Sequence, residues 1–149
     1  MSRKLLTLFL FLTACIAESQ NLEWKTDMTE AINLSNEQRK PMLILFTSAG
    51  ASDALQNEVF KTIDFEKWSR KNVILVRLDL SDPNIASEVR EQNIRLKNAF
   101  GVENVPEVCY ASATIRKEKT NFNTLGKLTY SSGGVKTWIT NSDLILNPE

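Results

Sequence analysis

Side chains suited to covalent or acid–base chemistry are scarce in this chain. It has no histidine and only two cysteines, Cys15 and Cys109. Histidine is the usual general base near neutrality, a common zinc ligand and the physiological pH switch. Its absence removes most hydrolase and zinc-site readings, and no metal site or cofactor is expected. Thiol–disulfide exchange needs a thiolate and a second thiol to resolve the mixed disulfide. Cys15 falls in an N-terminal targeting segment, so a mature chain keeps one thiol and forms no intramolecular disulfide. That thiol, Cys109, sits in the apolar run Val108-Cys109-Tyr110-Ala111 and reads as a small strand or core residue. The alternative is a lone thiol that pairs with another molecule. Asp79 ends an apolar run without a partner acid at a credible position, and reads as a strand-end cap. Ser52, in Ala49-Gly50-Ala51-Ser52, has a hydroxyl that ionises far too weakly at neutral pH to attack without a base. It reads as an N-cap or first-turn serine.

That small-residue turn is placed by the elements around it. Residues 41–46 (PMLILF) form an apolar run of strand length, as expected of a strand covered on both faces. Ala54, Leu55, Val59 and Phe60 then recur at helical spacing. In open α/β sheets, this handover at the carboxyl end of a strand is the usual place for ligands and chemistry. Upstream, Asp27 as N-cap and Glu30 three residues on start a helix with Met28, Ala31, Ile32 and Ser35 inward. Lys40-Pro41 ends it. Residues 64–70 read as a further helical turn with Phe65 and Trp68 inward, and 73–80 (VILVRLDL) as the second strand. Ser81-Asp82-Pro83 opens a helix with proline in its first turn. Ile85, Val89, Gln92, Leu96 and Phe100 give it one apolar face, broken near Asn93, and Gly101 stops it. A third strand covers 107–113, a charged and polar hairpin loop 116–124, and a last strand 127–130. Gly133-Gly134 is a turn, and 135–146 a closing helix with Trp138, Ile139 and Leu144 inward. Trp24, Trp68 and Trp138 are core anchors, and residues 117–119 a solvated turn. The order is that of an α/β domain: a central mixed β-sheet flanked by helices.

At 149 residues, 42% apolar and 24% charged, the chain is one domain's worth and can bury a core without disulfides. Met1 to Ala17 has the form of a signal: Ser2-Arg3-Lys4, then an apolar run at 5–12 too short to span a bilayer. Leu12-Thr13-Ala14-Cys15 resembles the bacterial lipoprotein signal, in which cleavage leaves the cysteine N-terminal and lipidated. Ordinary cleavage after Ala17 is the alternative. The organisation expected is a signal peptide at 1–15 (or to 17), a polar tether at 16–23 and a domain at 24–149. The mature domain is then exported, to the periplasm or as a membrane-anchored lipoprotein of the cell envelope. Without Arg3 and Lys4, sixteen basic residues face eighteen acidic ones. With no basic stripe in the sequence, that balance argues against a nucleic-acid partner. Asn33-Leu34-Ser35 matches a glycosylation sequon inside a predicted helix, which behind a bacterial leader carries no meaning.

Phe46-Thr47, a short turn, and Leu55-Gln56-Asn57-Glu58-Val59-Phe60 together resemble the thioredoxin superfamily, in its secreted bacterial thiol–disulfide interchange form. Gly101-Val102-Glu103-Asn104-Val105-Pro106 resembles that family's Gly-Val-x-x-x-Pro segment. The resemblance implies a thioredoxin-like fold over nearly the whole mature chain and a cis-proline at Pro106 facing the turn. It sets the family's Cys-x-x-Cys on Ala49, Gly50, Ala51 and Ser52, a degenerate active-site turn without either sulfur. The buried acid of many relatives is Leu45 here, and Glu107 follows Pro106 where threonine is usual. The resemblance further implies a groove lined by Val105, Pro106, the turn, Gly133 and Gly134, where an extended segment pairs with backbone as an added strand. These residues are small or apolar, which suits a peptide or protein. The function expected is therefore a redox-inactive thioredoxin-fold protein of the envelope, chaperone-like or an adaptor for an unidentified envelope protein. One rival is a thiol–disulfide oxidoreductase working through Cys109 or a partner's thiols. A second is a cysteine-poor relative of the endoplasmic-reticulum anterior-gradient type.

Overall fold

The structure, a computed structural model, describes residues 22–149. The expected leader, Cys15 and the tether up to residue 21 lie outside the described residues. In chain order the elements are α1 (Met28–Gln38), β1 (Met42–Thr47), α2 (Asp53–Leu55), which runs on into a π-helical stretch (Gln56–Phe60), α3 (Ile63–Asn72), β2 (Ile74–Asp79), α4 (Ser87–Ala99), β3 (Glu107–Arg116), β4 (Lys119–Leu128) and α5 (Gly134–Leu146).

The strands lie in the order β2-β1-β3-β4. β1 runs parallel to β2, with Met42 opposite Ile74 and Thr47 opposite Asp79. It runs antiparallel to β3, with Met42 opposite Ala111 and Phe46 opposite Glu107. β4 returns antiparallel along β3, from Leu128 opposite Val108 to Lys119 opposite Arg116. On the outer edge of β2, Lys25 forms a one-residue parallel bridge to Val76. Its N–H donates to the Leu75 carbonyl at 2.8 Å, and the Arg77 N–H donates to its carbonyl at 2.8 Å. The chain before Lys25 also packs, Leu22 and Trp24 both lying against the core.

Every residue of β1 is buried, because both faces of the sheet are covered. Successive side chains alternate between those faces. Met42, Ile44 and Phe46 join Ile74, Val76, Leu78, Cys109 and Ala111 beneath α1 and Phe100. Leu43 and Leu45 join Leu75, Val108 and Tyr110 beneath Leu55, Val59, Phe60, Phe65, Trp68 and Trp138. Each such fully buried aliphatic or aromatic side chain stabilises the fold by about 1.5–3 kcal/mol. The start of α1 is as its sequence requires: the Asp27 carboxylate accepts from the Glu30 N–H at 3.1 Å, and Met28, Ala31, Ile32 and Ser35 are its buried residues. Trp68 and Trp138 are core anchors, and Trp68 Nε1 donates to Asp143 Oδ1 at 2.8 Å to tie α3 to α5.

The structure corrects the sequence reading at four places. The helix after β2 begins at Ser87, not at Asp82-Pro83, because local bonds turn residues 79–84 first. Asp79 Oδ1 accepts the Ser81 N–H at 2.9 Å, and Asp82 Oδ1 accepts the Asn84 N–H at 2.9 Å. Such Asx bonds compete with helix. On α4 itself Val89 and Gln92 are exposed, and Asn93 is its buried residue. The hairpin loop expected at 116–124 is a two-residue turn, Lys117 (φ 48°) and Glu118 (φ 66°), between strands that run on to Arg116 and Lys119. Both φ values are positive, the pattern of a type I′ turn, here without the usual Asn-Gly. The last strand accordingly ends at Leu128, two residues before its expected end. On α5, Leu144 is 63% exposed and Ser142 is buried. Ser142 Oγ bonds the Tyr110 hydroxyl at 2.6 Å and donates to the Trp138 carbonyl at 2.8 Å, so the stripe turns on the serine.

Candidate functional site

β1 ends at Thr47, and the next five residues turn the chain into α2. The Ala51 N–H donates to the Ser48 carbonyl at 3.0 Å, and Gly50 takes φ +74°, with open space where a Cβ would stand. Glycine adopts that left-handed conformation at no steric cost. Ala49 and Gly50 are exposed, Ala51 and Ser52 half-buried. The turn is held from two sides. The buried Thr47 hydroxyl donates to Ser52 Oγ at 3.0 Å. From the neighbouring strand end, Ser81 Oγ accepts the Ala49 N–H at 2.7 Å and itself donates to Asp79 Oδ1 at 2.7 Å. Asp79 is thus a strand-end cap, as read from the sequence. Ser52 does stand at the N-cap position of α2, but its side chain makes no capping bond. It accepts from Thr47 instead.

Pro106 reaches this turn through sheet register. Glu107 lies opposite Phe46, so one step further Pro106 stands beside Thr47, where the turn begins. The Val105–Pro106 peptide bond is cis. Val105 packs against the face of the core that holds Phe46. Glu107 points to the same face as Cys109, where its carboxylate lies 3.7 Å from Lys127 Nζ. Lys127 also donates to the Gly101 carbonyl at 2.9 Å. Gly133 (φ 113°) and Gly134 (φ 72°) open α5. They follow β4, whose last residue, Leu128, is opposite Val108, at the same end of the sheet. α5 then packs on the π-helical stretch, with Trp138 edge-on to Phe60 at 6.1 Å. The Tyr130 hydroxyl faces Glu58 on that stretch. The carboxylate raises its pKa, and burial adds to the rise. Ala49–Ser52, Val105 and Pro106 are therefore neighbours, and Gly133 and Gly134 lie at the same pole.

The remaining thiol is closed off. Cys109 is fully buried between Ile44 on β1 and Lys127 on β4. Burial, with the Glu107 carboxylate adding to it against Lys127, pushes the thiol from 9.0 up to about 12. A thiolate is the attacking species in disulfide exchange, so this sulfur is not a nucleophile at neutral pH. At the other edge of β2, the Arg77 guanidinium lies 4.8 Å over the Trp24 ring. Burial lowers its pKa and Asp79 opposes the fall.

Sequence reasoning missed the Ser81 clasp. Its signal was present as Asp79-Leu80-Ser81, an Asx-turn pattern straight after a strand. It also missed Tyr130 and Glu58, which only the packing of α5 on the π-helical stretch brings together.

Comparison with known proteins gives the fold. No family model matches the chain. It is 26% identical over 93 residues to the thioredoxin-related protein DsbJ of Chlamydia pneumoniae, a match over 60% of this chain and 27% of that protein. The chain thus spans about a quarter of the length of the curated relative it matches. Among solved structures, the DsbH oxidoreductase superposes with a TM-score of 0.70 at 22% identity, over 87% of this chain and 88% of that one. A thioredoxin from Thermus thermophilus superposes with a TM-score of 0.60 at 13% identity, over 82% and 85%. The chain therefore has a thioredoxin-like fold, with the mixed sheet and flanking helices of these structures.

Proposed function

From this thioredoxin-like fold we propose a redox-inactive, Dsb-like protein of the bacterial envelope that holds extended peptide or protein segments, as a chaperone or adaptor. One observation carries the reading: the turn beside Pro106 presents Ala49 and Ser52, while the single thiol among the described residues is sealed in the sheet. Electron transfer has no sulfur to work with there. Backbone pairing needs none. An extended segment would add to the backbone beside Pro106, and the small side chains of Ala49 and Gly50 leave its path open. Export, with or without a lipid on Cys15, belongs to the same reading.

The test has two arms. The purified domain should reduce no insulin with dithiothreitol as electron source, and it should bind a fluorescent, unfolded, cysteine-free peptide. Ala49→Trp fills an exposed position, so it should weaken that peptide at least tenfold with the melting temperature unchanged. Insulin turnover above the dithiothreitol background, or peptide binding indifferent to Ala49→Trp, would refute the reading.

A further inference from the structure

The end of the sheet opposite the turn gathers basic residues that the sequence scatters. Arg39 and Lys40 precede β1, and Arg70 and Lys71 close α3 just before β2. β1 and β2 are parallel, so both pairs meet at one end, where Lys40 Nζ donates to the Arg70 carbonyl at 2.6 Å. β3 runs the other way. Its pairing with β1 stops at Ala111, while its pairing with β4 continues to Arg116 opposite Lys119. The β3–β4 ribbon therefore projects past β1 at this same end and carries Arg116, Lys117 and Lys119 at its tip. Arg39, Lys71 and these three are exposed and form no ion pair among the described residues.

Helix dipoles account for part of this. Arg39 caps the C-terminus of α1 and Lys71 lies in the last turn of α3, where cations are favoured. No helix ends at the ribbon tip, so a helix dipole does not account for its charge. Ile115, next to Arg116, is 47% exposed. An apolar residue set among cations suits the boundary between headgroups and acyl chains. Glu37, Glu118 and Glu149 offset part of the charge at this end. At the opposite pole Asp53, Asp79, Asp82 and Glu103 surround the turn, and the cations there are engaged, Arg90 with the Asp82 carbonyl and Lys127 with Glu107. The chain also enters the domain at the basic end. Leu22 and Glu23 line a cleft of about 260 Å³ together with Lys40, Arg70, Val73 and Ile74.

We propose that the basic end, with the β3–β4 ribbon tip foremost, docks on an anionic phospholipid surface, so that the turn beside Pro106 faces away from the membrane. This orientation is independent of what the groove holds.

The described residues hold both faces of the core, so a chain starting at Leu22 serves for the test. It should cosediment with vesicles of phosphatidylglycerol and phosphatidylcholine in a ratio of about 3:7 by moles, fail to do so with phosphatidylcholine alone, and detach as salt is raised. A basic residue near such a surface strengthens partitioning by about fivefold. Arg116→Gln, Lys117→Gln and Lys119→Gln together should then weaken it on the order of a hundredfold, with melting unchanged. Arg39→Gln with Lys71→Gln should weaken it as well, and serves if the ribbon variant unfolds. Because Cys109 is sealed, single added cysteines label selectively. A polarity-sensitive dye on Glu118→Cys should shift to the blue on anionic vesicles, and the same dye on Ala49→Cys should not. Equal binding to neutral vesicles, no binding to either, equal shifts at both dyes, or tighter binding to heparin than to the vesicles would overturn the proposal.

Discussion

Ser81→Ala tests whether the turn is held by the strand end beside it. Ser81 Oγ lies 2.7 Å from the Ala49 nitrogen and 2.7 Å from Asp79 Oδ1, so one methyl removes two hydrogen bonds. The first is neutral, worth about 0.5–1.5 kcal/mol, and the second, to a carboxylate, about 1.5–3 kcal/mol where water is excluded. Here water is close: Ala49 and Ser81 are exposed, and Asp79 keeps the Ser81 N–H at 2.9 Å. Solvent replaces most of what is lost, and the net cost should be about 1 kcal/mol. For a domain of this size that lowers the melting temperature by about 3–5 °C. The sharper readout is local. In native-state hydrogen exchange the Ala49 amide should lose its protection, while amides in the middle of β1 change only by the global amount. Ser81→Thr, which keeps the hydroxyl, should restore it. If Ala49 exchanges no faster in Ser81→Ala, the clasp does not hold the turn, and the account of the site fails at its base. If it exchanges faster, peptide affinity should fall by several-fold, because a looser turn must be ordered on binding.

Two further outcomes follow from the same geometry. Ala49→Cys with Ser52→Cys should close a disulfide under mild oxidant, seen as two thiols lost by mass after alkylation. A pair that stays open would show that the turn is not the counterpart of Cys-x-x-Cys. Cys109 should resist a thiol reagent at pH 8 in the native state and react once the chain is unfolded. Its folded pKa of about 12 lies above the unfolded 9.0, so the buried neutral thiol contributes stability that is complete below pH 9.0 and lost as pH rises towards about 12. Chemical denaturation between those values should show the decline, and Cys109→Ala should remove the part between pH 9.0 and 10.0, below the range in which the buried Tyr110 hydroxyl adds its own loss. Labelling of native Cys109 at pH 8 would reopen the oxidoreductase reading.

What the sequence revealed of this fold depended on period and burial. β1, β2 and α1 were legible because their apolar residues recur at spacings that a single environment imposes: both faces covered for β1, one stripe for α1. The misreadings sit where a residue answers to two demands. Ser142 looks like a surface serine until Tyr110 arrives from β3 to bond its hydroxyl, and a stripe fitted to apolar residues alone then slips to Leu144. Along the ribbon, both faces meet solvent beyond the Ala113–Phe122 pair, so the period-two signal fades and the start of β4 reads as loop. Pro83 looks like a helix start, but the carboxylates of Asp79 and Asp82 turn the backbone first. At the candidate site, the family resemblance pointed to the turn and to Pro106, and sheet register sets the two side by side. It could not identify Ser81, whose part depends on β2 ending beside β1.

The clasp also bears on how such a turn outlives its sulfurs. In a thiol enzyme the turn must be stable in two covalent states, and a disulfide constrains one of them. Here the covalent constraint is absent, and three groups from outside the turn act in its place. The Thr47 carbonyl accepts from the Leu80 N–H at 2.9 Å, Thr47 Oγ1 holds Ser52, and Ser81 holds Ala49. The first and third join the ends of two parallel strands that the core fixes through Phe46 and Leu78, each nearly or fully buried, and the second ties Ser52 back to the end of β1. The turn therefore inherits its position from the sheet and not from its own residues, which explains why alanines and glycine suffice there. A site built this way holds its shape without a disulfide, which is what the binding role proposed beside Pro106 requires. The same sheet places the turn and Pro106 together at one end and the basic ribbon tip at the other. Docking of the basic end on an anionic surface, as proposed, would leave the turn and Pro106 facing outward.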